Sequence, residues 1–195
     1  MEVFYEITKL NHLSLALGFF DGIHMGHRAV INNAVILAKS NNTKSAVITF
    51  KEHPKNILSK TYINTDIIYN NIKTIIDNET KIKLIEQLGV DYLFLLDFNK
   101  YRYLLAIDFL EILVKYLSPT AITTGFNYYF GYKKSGNTAL LANMSSKYNY
   151  KYFEIGAVKY NNTVVSSTLI RELINKKQWK EVNILLGYDY VFRTP

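Results

Sequence analysis

The feature that most restricts the fold of this chain is the regular exchange of two hydrophobic periods along it. Leu13 to Phe19 (LSLALGF), Ser45 to Phe50 (SAVITF), Asp91 to Leu96 (DYLFLL) and Ala121 to Thr124 are short apolar runs, as buried strands require. Between them apolar residues recur at helical spacing. His27 to Lys39 carries Val30, Ala34, Leu37 and Ala38 on one face. Glu79 to Leu88 carries Ile82, Ile85 and Leu88 and is stopped by Gly89, and Leu104 to Leu117 is strongly amphipathic. A helix near Thr138 to Lys147, strands near Lys151 to Ile155 and Thr163 to Val165, and a pair of terminal helices opened by Ser166 complete the pattern. Parallel strands need crossover connections, so this alternation predicts an α/β protein with a doubly wound parallel sheet. No internal repeat, low-complexity tract or Pro/Gly linker interrupts residues 1–195, and a single domain is expected. The polar, Asn-rich segment from Lys55 to Asn78 fits neither period and reads as a mobile flap.

Composition narrows the function classes. With 49% apolar residues and a mean hydropathy of −0.02, the chain can bury a sizeable core. The absence of cysteine excludes disulfides, thiolate metal sites and cysteine nucleophiles. Glu2 and Glu6 stand where a signal peptide would be basic and then apolar, so a cytoplasmic location is expected. The 23 basic and 16 acidic residues leave a net charge of +7, which suits anionic partners. The Lys and Arg are scattered without a nucleic-acid-reading motif, and no run approaches the roughly 18 apolar residues of a membrane span. Phosphorylated small molecules are therefore the expected partners, with neither nucleic acid nor membrane, and the chain is expected to be a monomer or a weak oligomer.

Ligands of a doubly wound sheet bind beyond the carboxyl ends of its strands, and four clusters fall there. The first runs Gly18-Phe19-Phe20-Asp21-Gly22-Ile23-His24-Met25-Gly26-His27 into the first helix. Its glycines allow a tight turn, and the helix N-terminus offers N–H groups and positive dipole to a phosphate. His24 and His27 are placed to hydrogen-bond phosphoryl oxygens there. A capping loop with incidental histidines, or a two-histidine metal site, would use the same residues, although no H-E-x-x-H pattern accompanies them. The chain contains no G-x-x-x-x-G-K-[ST] and no G-x-G-x-x-G, which disfavours P-loop and standard dinucleotide chemistry. The second cluster is Thr49-Phe50-Lys51-Glu52-His53-Pro54. The third, Gly125-Phe126-Asn127-Tyr128-Tyr129-Phe130-Gly131 with Lys133, Lys134 and Gly136, is either a stacking and phosphate-holding loop or a hydrophobic plug. In the fourth, Ser166-Ser167-Thr168-Leu169-Ile170-Arg171, hydroxyls cap a helix start and an arginine follows one turn in.

Taken in order, GFFDGIHMGH, TFKEHP, GFNYYFG followed by SGN, SSTLIR and the closing NILLGYDY resemble the adenylyltransferase domain of bacterial bifunctional riboflavin kinase/FMN adenylyltransferases. The resemblance runs from about Leu15 to Tyr190. Phe19 stands where an Asn is common, Tyr128 replaces the first aromatic of an F-x-F, and Glu52 stands where Pro is frequent. What the resemblance implies is a Rossmann-like α/β/α nucleotidylyltransferase that makes FAD and pyrophosphate from FMN and ATP with magnesium. It implies His24 and His27 at the ATP phosphates and transition state, and Gly18, Phe19, Phe20, Asp21, Gly22 and Gly26 in the ATP loop. Asp21 would fix that loop rather than act as a base. Ser167, Thr168 and Arg171 would hold the polyphosphate, His53, Asn127 and Phe130 would lie on the FMN side, and Asn127 would also serve catalysis. Magnesium would be held mainly by substrate phosphates, near Asn127. The chain stops at Pro195, so the riboflavin kinase half is expected to be missing. Another H-x-G-H nucleotidylyltransferase and a non-catalytic flavin- or nucleotide-binding regulator are the alternatives.

Overall fold

Strands β1 (Glu2–Phe4), β2 (Leu13–Leu17), β3 (Lys44–Phe50), β4 (Tyr92–Leu96), β5 (Ala121–Gly125) and β8 (Lys151–Ile155) form one parallel sheet in the order β1-β4-β3-β2-β5-β8. The computed structural model that shows this describes residues 1–52 and 74–190. The expected doubly wound α/β sheet is therefore present, with one added strand. The N-terminal β1 pairs with β4 at the sheet edge, and nothing in MEVF advertises it, because three residues are too few to show a period.

Both faces of the sheet are covered, and the side-chain alternation shows how. Leu13, Leu15, Leu17, Ala46, Ile48, Phe94 and Leu96 point into one apolar layer, while Ala16, Val47, Leu93 and Leu95 point into the other. The first layer is closed by α4 (Ala106–Leu117) and α5 (Thr138–Met144). The second is closed by α1 (Met25–Ser40), α2 (Asn78–Gln87), α6 (Ser167–Asn175) and α7 (Trp179–Leu186). A short helix, α3 (Phe98–Tyr101), precedes α4. In α1 the stripe Val30, Ile31, Ala34, Val35 and Ala38 is buried against β2, β3 and β5, as the spacing predicts.

Two small hairpins sit outside the sheet. The strand expected at Thr163 to Val165 pairs as β10 (Thr163–Val164) with β9 (Lys159–Tyr160), antiparallel, and does not join the sheet. The other hairpin joins β6 (Tyr129–Phe130) to β7 (Gly136–Asn137) within the aromatic loop. Most of the expected flap, and His53 with it, lies outside the described residues. Its C-terminal end does not behave as a flap, since Ile75 and Ile76 are buried in the second layer.

The strand order sets the position of any site. From β2 the chain winds outward through β3 and β4, and β5 and β8 lie on the other side of β2. The order therefore reverses between β2 and β5, and the crevice beyond their carboxyl ends is where such sheets bind ligands. Two of the four clusters leave from those strand ends.

Candidate active site

The segment after β2 is held in a conformation its sequence resists. Phe20 (φ 52°) and Ile23 (φ 42°) lie in the left-handed region together with Gly22 (φ 83°). For a β-branched residue such as Ile23 this is a marked outlier, of a sort that concentrates at functional sites. Burial holds it there, with Phe20, Asp21, Ile23 and His24 all enclosed. Gly18 and Gly26 are glycines because of what lies over them. A Cβ on Gly18 would stand 2.7 Å from the Phe20 ring, and one on Gly26 would stand 3.2 Å from the His24 ring.

The two histidines form one unit. His24 is the N-cap of α1, and its Nδ1 accepts the His27 backbone N–H at 3.3 Å. The rings stack with centroids 3.6 Å apart and planes 18° from parallel, and Phe20 meets the His27 ring edge-on at 5.4 Å. Burial pushes the His24 imidazole down to about 4 and His27 well below its ordinary value, the latter helped by the charges of His24 and Lys81. Both rings are therefore neutral near pH 7. With its Nδ1 accepting, His24 carries its proton on Nε2. His27 keeps a partly exposed edge, while its Nδ1 is enclosed without a hydrogen-bond partner among the described residues. An enclosed, unpaired nitrogen beside a helix N-terminus is suited to a ligand. The stacked pair caps α1 beyond the carboxyl end of β2 as two neutral imidazoles; among the described residues no group of three or more His, Asp or Glu side chains is placed to hold a metal.

Their depressed pKa values make stability depend on pH with a definite sign. Below 6.5 the unfolded chain takes up protons at these positions, while folded His24 does so only near 4. The unfolded state then binds more protons, so stability is complete above 6.5 and is lost as pH falls toward 4. We expect the melting temperature to be level above pH 7 and to fall steadily on acidification, by roughly 1.4 kcal/mol per pH unit for each histidine. His24→Asn, which keeps a side-chain cap, should flatten that slope in a series of melts.

Asp21 and Arg171 are brought together, a pairing that the sequence does not announce. Its Nη2 donates to Asp21 Oδ2, and the Asp21 side chain is 2% exposed. The other carboxylate oxygen accepts the Ile75 N–H at 2.9 Å, and the Ser167 hydroxyl donates to the Asp21 carbonyl at 3.0 Å. Burial raises the Asp21 carboxyl, opposed by the Arg171 charge. Asp21 thus ties the β2–α1 loop to α6 and to the strap at Ile75, the loop-fixing role the resemblance implied. Arg171 and Ser167 both serve that tie. Ser166 caps α6, its Oγ accepting the Leu169 N–H at 3.2 Å, and Thr168 is exposed on the first turn.

The aromatic loop is part buried and part exposed. Phe130 is buried, stacked on Tyr128 with centroids 5.5 Å apart and packed with Ala106 and Phe109; it is a plug. Phe126 and Tyr129 are exposed, as is Asn127 beside them. The plug also completes α4, whose Ala106 N–H donates to Ser135 Oγ at 2.9 Å in place of a local cap. A Cβ on Gly136 would lie 2.3 Å from the Ala106 Cβ and 2.7 Å from the Phe130 ring. Gly136→Ala should therefore destabilise by about 1–3 kcal/mol through overpacking, read as a lowered denaturant midpoint.

Two residues escaped the sequence reading. The Tyr188 hydroxyl donates to the Gly22 carbonyl at 2.8 Å. Lys81 is buried in α2, and its Nζ donates to the carbonyls of Phe19 and Phe50, each at 3.2 Å. The signal for Lys81 is its place on the inner stripe with Leu84 and Ile85, where a lysine is out of character.

Known proteins are similar to this chain over most of its length. A sequence model of the FAD synthetase family matches residues 6–169. A bifunctional riboflavin kinase/FMN adenylyltransferase of Listeria monocytogenes is 34% identical over 189 residues, covering 95% of this chain and 56% of that protein. One from Buchnera aphidicola subsp. Schizaphis graminum is 30% identical over 190 residues, covering 95% and 58%. An FAD synthetase of Listeria monocytogenes is 26% identical over 177 residues, covering 90% and 69%. The chain thus spans somewhat more than half the length of the two bifunctional relatives. A solved structure, a macrolide-efflux protein from Streptococcus pneumoniae, superposes with a TM-score of 0.80 at 26% identity over 96% of this chain and 60% of that one. Among the described residues here, no helix is long and apolar enough to cross a membrane.

Proposed function

This chain belongs to the FAD synthetase family, and from that membership and the histidine geometry we propose that it transfers the adenylyl group of ATP to FMN. An oxygen of the FMN phosphate attacks the α-phosphorus of ATP in line. The new P–O bond forms as the bond to the β-phosphate oxygen breaks, and FAD and pyrophosphate leave. No protein nucleophile is required, so catalysis is positioning and charge stabilisation. The observation that carries the reading is the neutral, stacked His24–His27 pair at the N-terminus of α1, where the chain leaves β2 beside the reversal of strand order. Neutral N–H donors at a helix N-terminus suit the charge that develops on the α-phosphoryl oxygens and the leaving group.

The remaining assignments follow the same reading. Gly18, Phe19, Phe20, Asp21, Gly22 and Gly26 shape the ATP loop. Ser167, Thr168 and Arg171 serve the polyphosphate, with Arg171 exchanging part of its hold on Asp21 for the phosphates. Asn127, with His53, lies on the FMN side, and Phe130 supports that side as the plug beneath the loop. Magnesium, when bound, would supply positive charge to offset that of the phosphates. The buried carboxylate of Asp21 is already engaged by Arg171 and Ile75, so the donor set fits an ion held by phosphate oxygens and water, with the Asn127 amide as the neighbouring protein oxygen. The reading carries with it a cytoplasmic, monomeric or weakly associating protein.

Incubation with ATP, magnesium and FMN tests it: FMN fluorescence should fall as FAD accumulates, with FAD identified by chromatography. Absence of FAD at any enzyme concentration overturns the reading. With riboflavin in place of FMN, the 195-residue chain should form neither FMN nor FAD, since the site is arranged around a phosphate nucleophile that riboflavin lacks.

A further inference from the structure

Beyond β3 residue Ile48 the β2–β3 ladder ends, because the last paired residues are Leu17 and Ile48 and the two strands then part. The carbonyls of Phe19 and Phe50 lie past that point and need donors from elsewhere. Thr49 Oγ1 donates to the Phe19 carbonyl at 2.7 Å, and the Lys81 ammonium donates to both carbonyls at 3.2 Å while lying 4.3 Å from the Phe19 ring centroid. Lys81 is 2% exposed. A neutral donor would satisfy two carbonyls without the desolvation penalty of a buried ammonium, so the charge itself calls for a reason. Its electrostatic neighbours supply one. They are Asp21 from the β2–α1 loop and His27 from α1, with Arg171 of α6 joined through Asp21.

We propose that Lys81 is a positioning residue for adenylyl transfer. It pins the ends of β2 and β3 at a fixed spacing and places a buried positive charge behind the histidine loop, where polyanionic substrates arrive. The inference rests on the adenylyl-transfer reading and adds a residue that the reading does not require. Burial brings the Lys81 ammonium down to about 8, against the opposing pull of Asp21. The charge is therefore present at pH 7 and lost above 8. Burial holds both histidines below their ordinary values, and the response of the limb to Lys81→Arg assigns an alkaline limb near 8 in kcat/KM to Lys81.

The test compares wild type, Lys81→Arg and Lys81→Met across pH 6.5–10, reading kcat/KM and kcat for FAD formation. Wild type should lose activity through an alkaline limb near 8. Lys81→Arg, always charged, should stay within tenfold of wild type and move the limb upward. Lys81→Met should fall by about 10²-fold, in keeping with a misplaced site, and show no such limb. A Lys81→Met profile matching wild type overturns the inference, as does a Lys81→Arg limb unmoved from 8; the latter decides the matter even if Lys81→Met does not fold. Carbon-13 shifts of the Phe19 and Phe50 carbonyls provide a readout independent of turnover. They should titrate together near 8 in wild type, and their failure to do so overturns the inference. A wild-type chain that makes no FAD while those carbonyls titrate overturns the adenylyl-transfer reading instead.

Discussion

His24→Asn should lower kcat for FAD formation by about 10²–10³ while leaving the protein folded and FMN affinity nearly unchanged. The magnitude is that of removing one preorganised donor aimed at developing charge. Asparagine is the informative replacement because the His24 side chain does two things at once. Its Nδ1 caps α1 by accepting the His27 N–H, and asparagine is among the best residues at an N-cap. The exchange therefore keeps the cap and removes the ring, including the Nε2 proton and the face stacked on His27. His24→Ala should show the same catalytic loss plus about 1 kcal/mol of lost stability from the missing cap. The ring is buried and neutral, so its contribution is that of an N–H dipole, and kcat should not gain on acidification toward pH 6. Wild-type turnover in a folded His24→Asn protein would remove the histidine pair from the mechanism.

The histidine pair was legible because glycine, histidine and strand-end position coincide within ten consecutive residues, a local signal. What the sequence did not disclose are relationships made across the chain. Arg171 reads as a phosphate ligand because it follows a hydroxyl-rich helix start, yet its partner Asp21 is 150 residues away. No periodicity links those positions. Lys81 interrupts an otherwise apolar stripe, a hint that amounts to a single residue. The aromatic loop shows a different limit. Alternation within a two-residue strand sends Phe130 inward as a plug and leaves Tyr129 exposed, a split that the run of aromatics does not announce. The tail of the expected flap was misread for a further reason. Ile75 and Ile76 have no strand or helix to give them a period, and they are held by packing and by the bond from the Ile75 N–H to Asp21.

The Asp21–Arg171 pair should be sensitive to the loss of a hydrogen-bond acceptor. Asp21→Asn preserves an acceptor for the Ile75 N–H and nearly the same volume, but Asn offers one acceptor where Asp21 uses two, so an amide N–H faces the Arg171 donor. A buried hydrogen-bonding group left unmatched costs about 1–3 kcal/mol. Burial disfavours the Asp21 charge itself, and the Arg171 side chain is 24% exposed, so the lower end, about 1 kcal/mol, is expected. For a chain of this size that corresponds to a fall in melting temperature of roughly 2–4 °C. The pH dependence of this pair is opposite in sign to that of the histidines. Burial raises the folded-state pKa of Asp21 above 3.8, so the folded protein holds this proton more readily than the unfolded chain does. Acidification through that range therefore favours the folded state at Asp21 while it penalises the folded state at His24 and His27. Asp21→Asn should leave the acid slope between pH 6.5 and 5 intact and displace the whole curve downward. Replacing both partners, as Asp21→Asn with Arg171→Met, should restore part of the loss, since the amide no longer faces the guanidinium donor. Urea unfolding of the single and double variants, at an unchanged denaturant slope, measures both effects. A single variant as stable as wild type would mean that the hydrogen bond from Arg171 to Asp21 contributes nothing to stability.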